Sequence, residues 1–304
     1  MKIAILGATS QIAKDLALSF NDKHSLVLYA RRPAALAQWL SQVNLQNCTF
    51  RDLSTFTHNT RFDAILNFVG AGNPDIIQQL GKRIFGITES YDQMVLNYLH
   101  EHPDCLYIFM SSGAVFGDNF STPVNNQTRS IFPINNLQPQ HYYGLAKAQA
   151  EYRHRMSDYN IIDLRIFNYF SSTADIQSSF MICGMLRSIL EGRQFVVDAT
   201  PITRDYVGPK DFHHMIEVLL DQHKINTAVD IYSRSPISKD LLIDYMKDRY
   251  ELKVLMRNAP LHAATGVKEN YYSTNLDAYS LGYSPTLTSI QTIFEEADKL
   301  IQCN

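Results

Sequence analysis

Through the first two-thirds of the chain, short apolar runs alternate with longer stretches in which apolar residues recur every three or four positions. Runs rich in β-branched and aromatic residues and bounded by turn formers read as strands, while the longer periodicity reads as amphipathic helix. The pattern predicts strands at Lys2–Leu6, Ser25–Ala30, Cys48–Phe50, Ala64–Val69, Leu106–Met110 and Ile161–Ile166. It places helices near Gln11–Phe20, Pro33–Val43, Ile84–His100 and Tyr143–Ser157. Such alternation implies an α/β fold, a doubly wound parallel sheet covered on both faces. Several strands are almost continuously apolar, as burial on both faces requires. Past Asn168 the pattern loosens, with helices expected at Ile176–Glu191, Asp211–His223, Lys239–Arg249 and Ser289–Ile301 and strands near Phe195–Val197 and Ala228–Tyr232. Residues 1–168 are therefore expected to form the sheet domain. Residues 169–304 are expected to form a smaller C-terminal α/β lobe, with no Pro/Gly/Ser-rich linker between them and a substrate cleft where they meet.

Composition narrows the chemistry. With 45% hydrophobic residues the chain can bury a large core, which excludes disordered and collagen-like classes. Its 27 Lys+Arg against 30 Asp+Glu leave a formal charge of −3, with no basic cluster longer than a pair. Nucleic acid and anionic membranes are thus not expected as partners, and a small molecule is. Cys48, Cys105, Cys183 and Cys303 lie far apart, in no metal or disulfide spacing, so no metal is expected and the thiols are read as reduced. No apolar run approaches the ~18 residues of a membrane span. Lys2 and a short apolar stretch do not make a signal peptide, and the expected location is cytoplasmic.

Gly7-Ala8-Thr9-Ser10-Gln11-Ile12-Ala13 joins the first strand to the first helix, the place where a dinucleotide diphosphate rests on free backbone N–H groups. Ser10 stands where a second glycine is usual and Ala13 replaces the third; a plain tight turn is the alternative reading. The second strand ends in Arg31-Arg32, without the acid that binds an NAD ribose, and arginines there accommodate the 2′-phosphate of NADP. NADP(H) is favoured, NAD(H) stays possible, and a pair of solvated charges is the alternative. Asp52 and Leu53 end the third strand, where an adenine contact is expected, and Val69-Gly70-Ala71 ends the fourth, where small residues let backbone approach a cofactor.

Tyr143 and Lys147, spaced i and i+4, share one helix face. A tyrosine with an ordinary pKa of about 10 is a poor acid–base group near neutrality, and an adjacent ammonium favours the phenolate. Tyr206 and Lys210 repeat the spacing, but Pro209 argues against a shared helix face. Ser111-Ser112 ends the fifth strand, at the carboxyl edge where open α/β sheets bind ligands. The Ser112 hydroxyl there can bond a substrate oxygen, or it can serve a turn.

Gly7–Ala13, Ser111–Gly117, Tyr143–Lys147, Arg165–Asn168 and Arg204–Val207 with Asp211 follow one another as in the extended short-chain dehydrogenases/reductases. More narrowly, the chain resembles the NAD(P)-dependent epimerase/dehydratase branch that acts on nucleotide sugars, as far as Leu281-Gly282-Tyr283-Ser284-Pro285. The resemblance implies a Rossmann fold and a catalytic set of Ser112, Tyr143 and Lys147, with Tyr143 as acid/base and Lys147 on the nicotinamide ribose. It places Asn168 and Arg204 at the sugar nucleotide's diphosphate. It also implies a homodimer built through the helices at Ile84–His100 and Tyr143–Ser157. Phe170 and Ser171-Ser172 depart from the family's continuation, and Met94 stands where many relatives carry Asn. Family dehydratases have an Asp-Glu pair where this chain has Gly113 and Ala114, which disfavours dehydration. The expected function is NADPH-dependent reduction of a 4-keto nucleotide sugar in deoxysugar or polysaccharide synthesis. A 4-epimerase and a catalytically silent NADP-binding sensor or scaffold are the alternatives.

Overall fold

In the computed structural model, which describes residues 1–20, 23–257 and 268–302, the strands fall at Lys2–Leu6 (β1), Ser25–Ala30 (β2), Cys48–Asp52 (β3), Ala64–Asn67 (β4), Leu106–Ser112 (β5) and Ile161–Ile166 (β6). Shorter strands follow at Asn168–Tyr169 (β7), Phe195–Asp198 (β8), Thr203–Arg204 (β9), Tyr206–Val207 (β10), Asn226–Asp230 (β11), Ile237–Ser238 (β12), Val254–Arg257 (β13) and Asn270–Tyr271 (β14). The helices are Gln11–Ser19 (α1), Pro33–Leu40 (α2), Pro74–Leu80 (α3), Arg83–Glu101 (α4), Pro139–Arg155 (α5), Met181–Leu190 (α6), Pro209–Leu220 (α7), Lys239–Tyr250 (α8) and Ser289–Gln302 (α9).

Seven strands make one parallel sheet in the order β11-β6-β5-β4-β1-β2-β3. The chain begins in the middle, winds outward through β2 and β3, then returns to β4 and winds the other way. The order therefore reverses between β1 and β4, and the crevice beyond their carboxyl ends is where this architecture binds ligands. Ile3, Ile5, Leu28, Leu66, Ile108 and Leu164 are all fully buried on one side, under α1 and α7. Leu6, Ile65, Tyr107 and Phe109 fill the opposite side under α4. Each such side chain contributes about 1.5–3 kcal/mol on burial, which is why these runs form inner strands.

The sequence reading puts everything beyond residue 168 in the smaller lobe; the structure returns residues 209–230 to the main sheet. The strand β11 pairs in parallel with β6, Asn226 opposite Ile161, and α7 buries Phe212, Met215, Ile216 and Leu219 beside α1. Amphipathicity marked α7 as a helix but could not say which core it covers. What remains of the C-terminal part is a second core of α6, α8 and α9 around Met185, Leu242, Met246 and Ile293. Two other differences are local. The strand β5 runs through Ser112, and α5 starts at Pro139, where Gln138 and His141 cap each other's backbone N–H groups. Cys48, Cys105 and Cys183 are free thiols, and Cys303 lies outside the described residues.

Candidate active site

The turn after β1 passes close against the end of β4. Gly7 has φ +74°, and a Cβ there would lie 2.8 Å from the backbone of Phe68 and Val69. Only glycine lets this turn pass so close to the end of β4. Thr9, Gln11 and Ile12 remain partly exposed along the turn and the first turn of α1. Ser10 is the N-cap of α1, its Oγ accepting from Ala13 N–H at 3.3 Å. The residue that replaces the usual glycine thus takes up one of the helix's own free donors. Gln11 reaches away from the turn to donate to Ser171 Oγ at 2.7 Å.

A buried junction stands beside it. Asp15, on α1, accepts from the hydroxyls of Tyr169 (2.8 Å), Ser171 (2.7 Å) and Thr173 (2.8 Å). Burial raises its pKa, and the three hydroxyls oppose that rise. Nothing in the periodicity signals this, although the departure at Ser171-Ser172 marks the place.

The other expected cofactor residues divide. Arg31 and Arg32 are both exposed at the end of β2, and Arg31 alone lines the large groove beside it. Asp52 caps the turn after β3 by accepting from Ser54 N–H and Oγ at 2.8 and 2.7 Å, and Leu53 is buried. Val69 and Ala71 are buried and Gly70 is exposed between them. A Cβ on Gly70 would stand 3.6 Å from Lys147 Nζ, which brings the end of β4 to α5.

Ser112, Tyr143 and Lys147 come together. Gly144 lies so close to the turn after β5 that a Cβ there would be 2.3 Å from the Ala114 carbonyl oxygen, and this contact seats α5 against Ser112. The Ser112 hydroxyl bonds Tyr143 and also lies 3.0 Å from the Tyr271 hydroxyl. Lys147 is buried, donates to the Met110 carbonyl at 2.7 Å and sits 4.3 Å above the Phe109 ring. Its burial pulls its pKa down to about 8, against the pull of Asp92, Asp163 and Glu151. Tyr143 differs from expectation: burial pushes its pKa up, Tyr271 adds to the rise, and only the Ser112 bond opposes it. Lys147 Nζ, 5.9 Å from the Tyr143 ring centre, points to Met110 instead of the phenol. In this arrangement Tyr143 keeps its proton.

Residues of the C-terminal part stand next to Ser112. Asn168 donates to the Asp205 carbonyl at 3.0 Å, which pins β7 to the neighbouring loop. Arg204 bonds the Lys268 carbonyl at 2.7 Å, and its guanidinium lies 5.7 Å from the Tyr271 ring. Lys268 sits 4.6 Å over the other approach to that ring, and burial pulls its pKa down to about 8, with Arg204 adding to the fall. Pairing of β14 with β9 sets Tyr271 opposite Arg204. Sequence reasoning missed Tyr271 and Lys268, whose position depends on this pairing alone. The second Tyr-Lys pair is resolved too: Tyr206 lies in β10 and Pro209 opens α7, so Tyr206 and Lys210 share no helix.

These features define a doubly wound α/β architecture with Ser112, Tyr143 and Lys147 together beyond the carboxyl ends of its inner strands. Residues 3–233 match the NAD dependent epimerase/dehydratase family, and the chain belongs to that family of oxidoreductase-type enzymes. It is 27% identical over 220 residues to UDP-glucose 4-epimerase 4 of Oryza sativa subsp. japonica, a match covering 64% of this chain and 56% of that protein. The chain thus spans just over half the length of that curated relative. A UDP-N-acetylglucosamine 4-epimerase from Methanobrevibacter ruminantium M1, in complex with UDP-N-acetylmuramic acid, shares its fold with a TM-score of 0.82 at 16% identity over 100% of this chain and 99% of the other. A UDP-glucuronic acid 4-epimerase from Bacillus cereus, in complex with UDP-glucuronic acid and NAD, does so at 0.78 and 17% over the whole of both chains. Among the described residues no helix is long and apolar enough to cross a membrane.

Proposed function

We propose that the chain is a nucleotide-sugar 4-epimerase. The observation that carries this reading is the meeting of Ser112, Tyr143 and Lys147 with a wall made by Asn168, Arg204 and Tyr271. The 4-epimerase names of the relatives support it. The Gly7 turn and the α1 N-terminus fit a dinucleotide diphosphate, and Lys147 fits a ribose. When bound, the nicotinamide supplies acceptance and return of hydride. Ser112 and Tyr143 would hold the sugar's C4 oxygen between them; Tyr143, as the phenolate left once its own proton has gone to solvent, would take the hydroxyl's proton as the ketone forms and give it back as the ketone is reduced. Arg204 offers a charged donor to the nucleotide's diphosphate. The space that an acid at position 113 would need is filled by the Phe167 ring, which would lie 2.3 Å from a Cβ on Gly113. That leaves epimerisation and reduction in place of dehydration.

The reductase is the second reading, favoured by Arg31 at the end of β2 and by a Tyr143 that keeps its proton, ready to donate it. A panel of UDP-hexoses is incubated with the protein and resolved by chromatography, beside NADPH with 4-keto-6-deoxy nucleotide sugars. Interconversion of C4 epimers with no net cofactor turnover is the expected result. Stoichiometric NADPH oxidation by the keto sugars moves the function to reduction; neither reaction, with cofactor still bound, moves it to a sensor.

A further inference from the structure

The Ser112 hydroxyl has its full set of partners. A serine hydroxyl has one proton to give and two lone pairs to offer. Here Ala114 N–H donates to the Ser112 oxygen at 3.2 Å, Tyr143 bonds it from α5, and the Tyr271 hydroxyl lies 3.0 Å away. The one proton serves one of these neighbours, and its direction decides what Ser112 can do. A ketone oxygen only accepts hydrogen bonds, so Ser112 stabilises it only with the proton turned its way. A proton spent on Tyr271 would leave lone pairs facing that oxygen, which repel it.

The surroundings of Tyr271 settle that direction. Burial raises its pKa, against the pull of Ser112, Arg204 and Ala114 N–H, so Tyr271 holds its proton near neutrality. Its oxygen accepts from Ala114 N–H, which leaves its own O–H to close the contact with Ser112. Ala114 N–H and the Tyr271 hydroxyl then occupy both Ser112 lone pairs, and the Ser112 proton is directed to the remaining side, where Tyr143 stands. The phenol is held in that place. Its ring packs against Phe120 and Phe167, with centres 4.9 and 5.3 Å apart. The backbone on either side is tied down as well: Asn270 N–H donates to the Phe120 carbonyl at 3.0 Å, Thr203 N–H to the Glu269 carbonyl at 2.7 Å and Thr274 N–H to the Val124 carbonyl at 2.8 Å. A donor fixed before the reaction costs no reorganisation during it.

We infer that Tyr271 is a positioning residue: it fixes the direction of the Ser112 proton, so that Ser112 meets the sugar's C4 oxygen as a donor. The inference rests on the C4-oxygen reading of the site and holds for an epimerase or a reductase alike, since both handle a C4 ketone. Steady-state kcat and KM are measured on the wild type, Tyr271→Phe, Ser112→Ala and the double variant, with the UDP-hexoses and with the 4-keto sugars plus NADPH, beside cofactor titrations and Tm. Tyr271→Phe keeps the ring and its contacts, so Tm should stay within a few degrees. Its kcat should fall about tenfold, the worth of one neutral hydrogen bond, while KM and cofactor affinity stay within about twofold. Ser112→Ala should lose about 10²-fold, as removal of one donor to the reacting oxygen does. In the Ser112→Ala background Tyr271→Phe should cost less than about twofold more, because no proton is left to direct. Tyr272→Phe, at the next residue, is the control and should keep its turnover within about twofold. Equal losses from Tyr271→Phe in both backgrounds overturn the inference, because Tyr271 then acts without Ser112. A loss confined to KM also overturns it, making Tyr271 only a part of the sugar's wall. An unchanged or higher kcat does so too, since the hydroxyl then merely fills the place of the sugar's oxygen. Each of these leaves the activity reading standing. A wild type that turns over neither kind of substrate overturns both.

Discussion

Tyr143 shows how far residue type and spacing carry, and where they stop. That it shares a helix face with Lys147 and faces Ser112 was legible from the i, i+4 spacing and from the strand-end serine. Its protonation was not, because that depends on burial and on Tyr271, which arrives from 128 residues further along the chain. If Tyr143 moves the proton, Tyr143→Phe keeps the ring and removes the hydroxyl, and kcat should fall by about 10²–10⁴ while cofactor affinity stays within about twofold. Tyr206→Phe is the control, and its turnover should stay within a few-fold, since Tyr206 is buried in β10 with no partner lysine on its element. Steady-state kinetics with cofactor titrations on both variants separate the two. An unchanged kcat in Tyr143→Phe removes the catalytic assignment.

At the scale of elements, the long helices and inner strands could be read, because their apolar faces are long enough to show a period. The helix α3, seven residues started by the Asn73 cap and Pro74, is too short to show one, and the two-residue strands β7, β9, β10 and β14 have no pattern of their own. Yet β9 and β14 bring Arg204 and Tyr271 together. Helix position is likewise set by a contact that hydropathy does not reveal, the approach of Gly144 to the Ala114 carbonyl. Gly144→Ala raises helix propensity but puts a methyl group 2.3 Å from that oxygen, so α5 must move. The overpacking should cost about 1–3 kcal/mol, outweighing the gain of about 1 kcal/mol in propensity. A lower Tm should accompany a fall in kcat larger than the rise in KM, as Tyr143 shifts from Ser112. Equal or higher Tm with normal turnover would show that the turn yields freely.

For the molecule as a whole, the alternation of strand and helix announced the doubly wound sheet, while the return of α7 and β11 to it was hidden in long-range pairing. The elements are also joined by charge. His154, on α5 and fully buried, bonds Asp163 of β6 at 2.6 Å and Asp92 of α4 at 2.7 Å. Arg155 pairs with the same Asp163, Arg153 with Asp92 at 3.2 Å, and the Tyr107 hydroxyl donates to Asp92 at 3.1 Å. Burial alone would push His154 down, but the two aspartates outweigh it and hold its pKa up at about 9. A raised folded-state value means that this stabilisation is complete below about pH 6.5 and is lost as pH rises through about 9. The unfolding free energy from urea titrations should therefore fall between pH 7 and 10 by on the order of 2–3 kcal/mol, and His154→Gln should be less stable at pH 6 and show a flatter profile. A wild-type profile as flat as the variant's would rule out the charged histidine.

The carboxylate of Asp15 has a mechanical meaning as well. Three hydroxyls from residues 169–173 share that one acceptor, and Gln11 grips one of them from the first position of α1. To part them is to strand a buried charge, a far larger penalty than losing any one bond. The turn at Gly7 and the loop leaving Asn168 are consequently tied together. A displacement at Asn168 would thus be passed to the turn at Gly7 across a gap of about 160 residues in the chain.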